Sequence, residues 1–557
     1  MSFNRRTIAW SVLVAGSVAA GPLVAQSTKR ASVNNGGIEG NARSLLPSLD
    51  RSGRYVAFQS DASNLDFGDV NMASDVFVRD RAIGVTDLVS VNNGGAQGTG
   101  ASDSPHLSGL GQYVVFRSDA PNFWPGDING LGDIILRDIP GALTEPISLD
   151  FGGGPANGAS YDPFVTTNGR WVAFTSSASD LVPGDMNGLD DCFVRDRMFA
   201  VTECLSVNGA GVVNANGASG APSLSADGRY AVFHSDASNL VPGDMNAVRD
   251  VFMRDRLAGV TVRISLGPGG VEANGASSNP WISEDGRYVT YQSDATNLVA
   301  VDVNAATDVF VFDRLAVTTV MASVSTAGVQ GIGNSLNPVI NSDGTRVAFT
   351  SEADNLSPQD TNLVADAHVR DLWLGVTHRA SLSELSLQSA GASDGATISG
   401  NGRVIAFSNA EPDLVGADTN LVDDVFVRDE VTASATLYGA GFPGTFGIPF
   451  LGMQNTPVMG TIGDIEIGNS RGVPTLVVMF LGLATASLPT PWGGDLLVQP
   501  SIVLPAILPA GIFTLGLNIP HEEKLEGLAV YMQVLELDPG AAAGVSFTQG
   551  LGMLLGW

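Results

Sequence analysis

The string Asp-x-Asn-x-x-x-Asp occurs seven times in this chain, beginning at Asp69, Asp127, Asp185, Asp244, Asp302, Asp360 and Asp418. Successive copies start 58, 58, 59, 58, 58 and 58 residues apart. Such regularity marks a repeat architecture, in which each unit buries its apolar face against its neighbours. The text around every copy also returns, as in Pro222-Ser-Leu-Ser-Ala-Asp-Gly-Arg-Tyr-Ala-Val-Phe-His-Ser-Asp236, then Asp250-Val-Phe-Met-Arg-Asp255 and Val260-Thr-Val-Arg-Ile-Ser265.

Each unit reads as four short strands. In the first copy strand A lies near 45–49, strand B at 54–60, strand C at 75–81 and strand D at about 85–91. Asp50-Arg51-Ser52-Gly53 forms the A–B turn and becomes Asp227-Gly228, Asp285-Gly286 and Asp343-Gly344 later, a dipeptide suited to positive φ. No unit shows a helical period. With 67 Gly and 28 Pro the chain is rich in turns. The spacing predicts an all-β fold, a seven-bladed β-propeller over residues 27–432, followed by a β-sandwich. The last unit has strand C at 424–429 and no strand D after it. Thr28-Lys-Arg-Ala-Ser-Val-Asn-Asn-Gly-Gly37 instead matches Thr86-Asp-Leu-Val-Ser-Val-Asn-Asn-Gly-Gly95, so the amino-terminal segment is expected to complete the last blade and close the ring.

The recurring Ser-x-Asp-Gly-Arg-Tyr core resembles the TolB-type propeller repeat over about residues 28–431. The resemblance implies the fold and little about function, because such blades occur both in periplasmic TolB and in the propeller domains of prolyl oligopeptidase-like enzymes. No counterpart of TolB's α/β domain or of the oligopeptidases' hydrolase domain is recognisable.

Acidic residues number 57 against 28 basic ones, a net charge of −29 that repels phosphate backbones and excludes nucleic-acid binding as a main role. Residues 1–26 read as a secretion signal, with Arg5 and Arg6 before an uncharged stretch at 8–20, the rival reading being an uncleaved anchor helix; the signal places the protein in the periplasm, at the cell surface or outside the cell.

The B–C loop, about 61–74, and the Asn/Gly-rich D–A loop, 92–98, emerge on one rim. Oxygen-bearing side chains at positions one, three and seven of each motif suit a hard cation such as Ca²⁺. The candidate sets are Asp69, Asn71 and Asp75; Asp127, Asn129 and Asp133; Asp185, Asn187 and Asp191; Asp244, Asn246 and Asp250; Asp302, Asn304 and Asp308; Asp360, Asn362 and Asp366; and Asp418, Asn420 and Asp424. The competing reading is structural: the same side chains cap the loop's own amides as Asx-turns. Arg-Asp pairs ending strand C, such as Arg79-Asp80 and Arg254-Asp255, read as repeated ion pairs within each blade or as a ligand-facing belt.

Cys192 and Cys204 lie six residues either side of Met198 and face each other if the hairpin is symmetric, which suits a disulfide that stabilises by about 3 kcal/mol; the alternative is a free buried pair. The five His form no metal-spaced cluster. Gly468-Asn-Ser470-Arg-Gly472 matches the nucleophile-elbow string, but a strand and not a helix is expected after it. No catalytic residue is assigned.

Residues 433–557 change character. Only ten charged residues occur from 434 onward, and Pro500, Pro505 and Pro509 interrupt the longest apolar stretch, which argues against a transmembrane span. Strands at 475–481, 511–517 and 528–537 suit a β-sandwich for sorting or surface attachment. The leading expectation is a secreted, monomeric binding scaffold. Its acidic B–C/D–A rim takes a protein or glycan partner, with calcium as candidate cofactor. The runner-up is an extracellular hydrolase or lyase acting on polysaccharide or peptide in the channel.

Overall fold

The computed structural model describes residues 28–557 apart from 210–213, 359, 417, 431–433 and scattered positions between 444 and 542. The secretion signal expected at 1–26 lies outside the described residues. Two compact units result, one ending at Asp429 and the other spanning Glu430–Trp557.

In the first unit, strands A to D of the first repeat are Ser44–Leu49, Tyr55–Ser60, Asp75–Asp80 and Val85–Leu88, antiparallel and paired in chain order. The same four-stranded sheet recurs seven times among the described residues. Each strand A packs on strand B of the preceding sheet, and strand A of the first packs on Val404–Asn409 of the seventh. The sheets therefore follow one another round a closed cycle, the arrangement of a β-propeller.

Burial explains why strands B and C carry so little polarity. Val56, Ala57 and Phe58 are all sealed, since a neighbouring sheet covers each face. Ala57, Val76 and Val78 pack with Leu107, Val114 and Phe116 of the next sheet. Val56, Phe58 and Phe77 meet Val404, Ala406, Val425 and Val427 of the last. Across most B–C pairs two aromatic rings stack, as in Phe58–Phe77 at 5.9 Å and Phe233–Phe252 at 6.0 Å. His368 takes one of these places against Phe349, and burial lowers its pKa to about 3, so it is a neutral core residue.

The A–B glycines adopt positive φ, as at Gly344 (73°), and a second constraint appears there: a Cβ on Gly344 would lie 2.1 Å from the Tyr288 ring of the preceding sheet. Strand A also carries a bulge in every sheet, with left-handed backbone at Leu46, Ser104, Asp162, Ala221, Asn279, Asn337 and Gly395. The amino-terminal strand Thr28–Arg30 pairs with Asp424–Asp429, setting Thr28 against Arg428 and Arg30 against Phe426.

The second unit is also β. One sheet runs Ser434–Tyr438, Gly550–Leu554, Ala529–Leu537, Thr475–Gly482, Ile502–Leu508, with Val545–Phe547 added to Ala529–Leu537. A second contains Phe450–Met453, Ile462–Gly468 and Ile512–Asn518. Ile465 and Ile467 from the smaller sheet share a core with Val477, Met479, Met532 and Leu551 from the larger. Thr475–Gly482, which follows the elbow-like string, is a strand. Among the described residues no helix is long and apolar enough to cross a membrane.

Deleting residues 28–34 would strip strand 424–429 of its outer partner and leave the buried Asp418 and Asp424 without Arg30. The expected loss is about 3–5 kcal/mol of stability, with self-association through the bared edge, read by thermal melting and size-exclusion chromatography. A deletion variant that melts with the parent and stays monomeric would show the closure to be dispensable.

Candidate functional site

Each motif is built into its sheet by two attachments common to all seven units and a third that varies. The middle Asn makes an Asx-turn: Asn71 Oδ1 accepts from the Ala73 amide at 2.7 Å, while its Nδ2 donates to the Gly98 carbonyl of the D–A loop at 2.9 Å. Asn129, Asn187, Asn246, Asn304, Asn362 and Asn420 stitch the two loops together in the same way. The last Asp opens strand C, is buried, and accepts from a serine hydroxyl at the end of strand D. Ser90 to Asp75 is 2.6 Å, and Ser148, Ser206, Ser265, Ser323, Ser381 and Ser32 repeat the bond to Asp133, Asp191, Asp250, Asp308, Asp366 and Asp424.

The third attachment differs between units and bears directly on calcium. In the first unit the Gln97 amide donates to both Asp69 (2.8 Å) and Asp75 (2.7 Å), and Gln330 bridges Asp302 and Asp308 likewise. Asn214 donates to Asp185 at 3.1 Å. In the fourth unit the Arg263 guanidinium lies 3.0 Å from both Asp244 and Asp250, with Glu272 beside it at 2.7 Å. Arg379 and Gln388 serve Asp360 and Asp366, and Arg30 lies 3.1 Å from Asp418 and 3.4 Å from Asp424. Glu39, Asp418 and Asp424 bring three carboxylates within ligand reach of one another, but their cluster is closed around Arg30.

The second unit departs from this pattern. Pro146 and Pro155 stand where other units place the guanidinium or the amide, and Asp127 Oδ1 is buried with no hydrogen-bond partner. The proposed ligand sets are thus assembled in every unit. In six of the seven a side-chain nitrogen from strand D or the D–A loop contacts the first Asp of the motif. These donors have no fixed residue type, and reading the motif alone misses them; their signal is position, Gln97 lying 28 residues after Asp69.

Burial raises the pKa of Asp75, Asp133, Asp191, Asp360 and Asp424 to about 6, and the neighbouring carboxylate of each motif adds to the rise. The Arg-Asp pairs behave differently from the sequence expectation. Asp80 pairs with Arg54 at 2.6 Å, not with the adjacent Arg79, whose guanidinium donates to Thr86 and to the Val33 carbonyl. Asp196, Asp255 and Asp313 repeat this with Arg170, Arg229 and Arg287.

The disulfide expectation is corrected. Both cysteines are free, and the hairpin register sets Cys204 opposite Phe193. The turn is asymmetric about Met198, with Ala200 in a left-handed conformation, so the pairing is displaced by one residue. Cys192 then faces the core shared with the fourth sheet and Cys204 the core shared with the second.

A cavity of about 80 Å³ at the A–B end of the channel is lined by strand A residues from all seven sheets. His106, Phe164 and Trp281 pack across it, with ring centroids 4.4–5.4 Å apart. Beside them Glu284 accepts from Thr167 at 2.9 Å and Ser342 at 2.8 Å and faces Arg51 at 3.7 Å. Burial lowers the His106 pKa to about 3, which leaves it neutral. Small-molecule pockets run to roughly 300–1,000 Å³, far above this volume.

No family model matches the chain, and no curated protein matches it. Solved structures similar to it include a TolB protein from Agrobacterium tumefaciens, at 14% identity over 62% of this chain and 94% of that one, with a TM-score of 0.33. A prolyl endopeptidase structure is similar at 9% identity over 77% of this chain and 54% of that one, TM-score 0.42. A xyloglucanase from Xanthomonas campestris is similar at 9% identity over 80% and 59%, TM-score 0.40. The chain is thus similar to TolB-like and other propeller proteins; at these identities no activity is carried across.

Two outcomes follow for the motif carboxyls. Their raised pKa means that folding favours the protonated form, so this contribution to stability is complete below about pH 4 and lost as pH rises through about 6. The melting temperature is expected to fall between pH 5 and pH 7.5, and Asp75→Asn to flatten that slope; a rising profile would contradict the burial argument. Calorimetric titration with Ca²⁺ is expected to reveal no more than one site, abolished by Asp127→Ala. Several equivalents bound would show that the cation displaces the protein donors.

Proposed function

We propose that the chain is an exported binding scaffold. In this reading a seven-bladed propeller offers the B–C/D–A rim to a protein or glycan partner, and the second unit, as a β-sandwich, serves for attachment. The Asp-x-Asn-x-x-x-Asp loops act as internal clamps that hold the rim in shape, with calcium confined to the second repeat. The observation that carries this reading is the contrast between the two ends of the channel. The rim loops are cross-linked to one another by side-chain hydrogen bonds in every sheet, which makes a preorganised surface. The A–B end is filled by His106, Phe164, Trp281 and the Glu284 cluster, and its cavity of about 80 Å³ is too small for a polysaccharide or peptide.

The test sets binding against turnover. The protein is presented to arrays of purified glycans and of envelope proteins, and separately incubated with polysaccharide and peptide substrates. Saturable binding without product is the expected outcome. Release of reducing ends or of cleaved peptide would replace the scaffold by the hydrolase or lyase.

A further inference from the structure

The residue between the Asp and the Asn of each motif is fixed outward by its neighbours, both of which are tied inward, because alternate side chains of an extended segment point to opposite sides. In five units that residue is aliphatic: Val70, Ile128, Met186, Met245 and Val303. In the other two it is Thr361 or Thr419. Those same two units carry a leucine two residues later, Leu363 and Leu421, where most of the others have Gly or Ala. Every loop tip therefore ends in an aliphatic side chain, 69% exposed at Leu421 and 89% at Met186.

The fold does not ask for these side chains. Threonine occupies the outward position in two units without changing the turn, so a polar residue is structurally adequate there. Leu363 and Leu421 adopt left-handed backbone, φ 58° and 56°, where Gly130 and Gly188 sit without strain in other units. Aliphatic groups held in water, two of them in a conformation that disfavours them, form a ring whose role lies outside the molecule. Met186 and Met245 add side chains that adapt to a partner's contours.

The electrostatic setting defines what fits this ring. Besides burial, Asp69 is pushed up by Asp66, Asp191 by Asp185 and Asp190, Asp360 by Asp366 and Asp354, and Asp418 by Glu39 and Asp413, so carboxylates crowd one another in the segments that carry the tips. A partner surface bearing positive charge relieves that repulsion. The tips are aliphatic in all seven units, while the exposed aromatics of the B–C and D–A loops among the described residues, Phe67 and Phe151, sit at unrelated places in the repeat, so a repeated stacking platform for sugar rings is not what the ring offers.

Resting on the reading of the loop rim as the binding face, we propose that the seven aliphatic tips dock a protein surface in which aliphatic side chains are interspersed with lysine or arginine. The probe is a synthetic amphipathic peptide of leucine and lysine, compared by fluorescence anisotropy with a leucine–glutamate peptide and a serine–lysine peptide. The leucine–lysine peptide is expected to bind at least about tenfold more tightly than either, and more weakly at high salt. A variant combining Val70→Ser, Ile128→Ser, Met186→Ser, Met245→Ser, Val303→Ser, Leu363→Gly and Leu421→Gly is expected to lose about tenfold in affinity while melting no lower than the parent. No binding, equal affinity for the serine–lysine peptide, or undiminished affinity of the variant overturns the proposal. Photo-crosslinking separates this failure from that of the wider reading. Crosslinks on the loop rim with an indifferent variant reject the aliphatic ring alone, whereas crosslinks at Phe199 and Leu257 of the C–D turns reject the loop rim as the binding face.

Discussion

The buried carboxyl that opens strand C holds each sheet to its loops. From one aspartate, hydrogen bonds run to the serine that ends strand D, to the asparagine of the B–C loop and, in most units, to a nitrogen of the D–A segment or of strand D. Placing an acid there without partners would cost several kcal/mol. The surrounding donors are therefore obligatory, and they tie the long B–C loop to the strands it joins. The rim's shape, its clustered negative charge and the outward aim of its tips all follow from that enclosure.

Much of the propeller was legible because its strongest signals are local. The Asp-Gly turn needs positive φ, and the amino-terminal copy of the strand D text names its own partner. The strand A bulge was not read, although a proline follows the left-handed residue in six sheets, because proline by itself marks many kinds of irregularity. Burial on both faces of strands B and C escaped for a related reason: period-two patterning disappears when a neighbour covers each side.

At the candidate site the Asx-turn half of the reading needs only residues within one motif and could be seen. The choice between a metal and a protein donor could not, since Gln97, Asn214, Arg263 and Arg379 differ in type and come from a distant part of each unit. The cysteines show how finely register matters. A single residue of asymmetry in the C–D turn turns two side chains from facing each other to lying on opposite sides of a sheet.

Pairing Thr28 with Arg428 also dictates timing. The first strand to leave the ribosome must wait through about 400 residues of synthesis for its neighbour, and until then the first and seventh sheets each lack a flank. Such distant contacts form slowly. The ring can therefore latch only after the whole array has been made, and a chain released before its last repeat stays open at that seam.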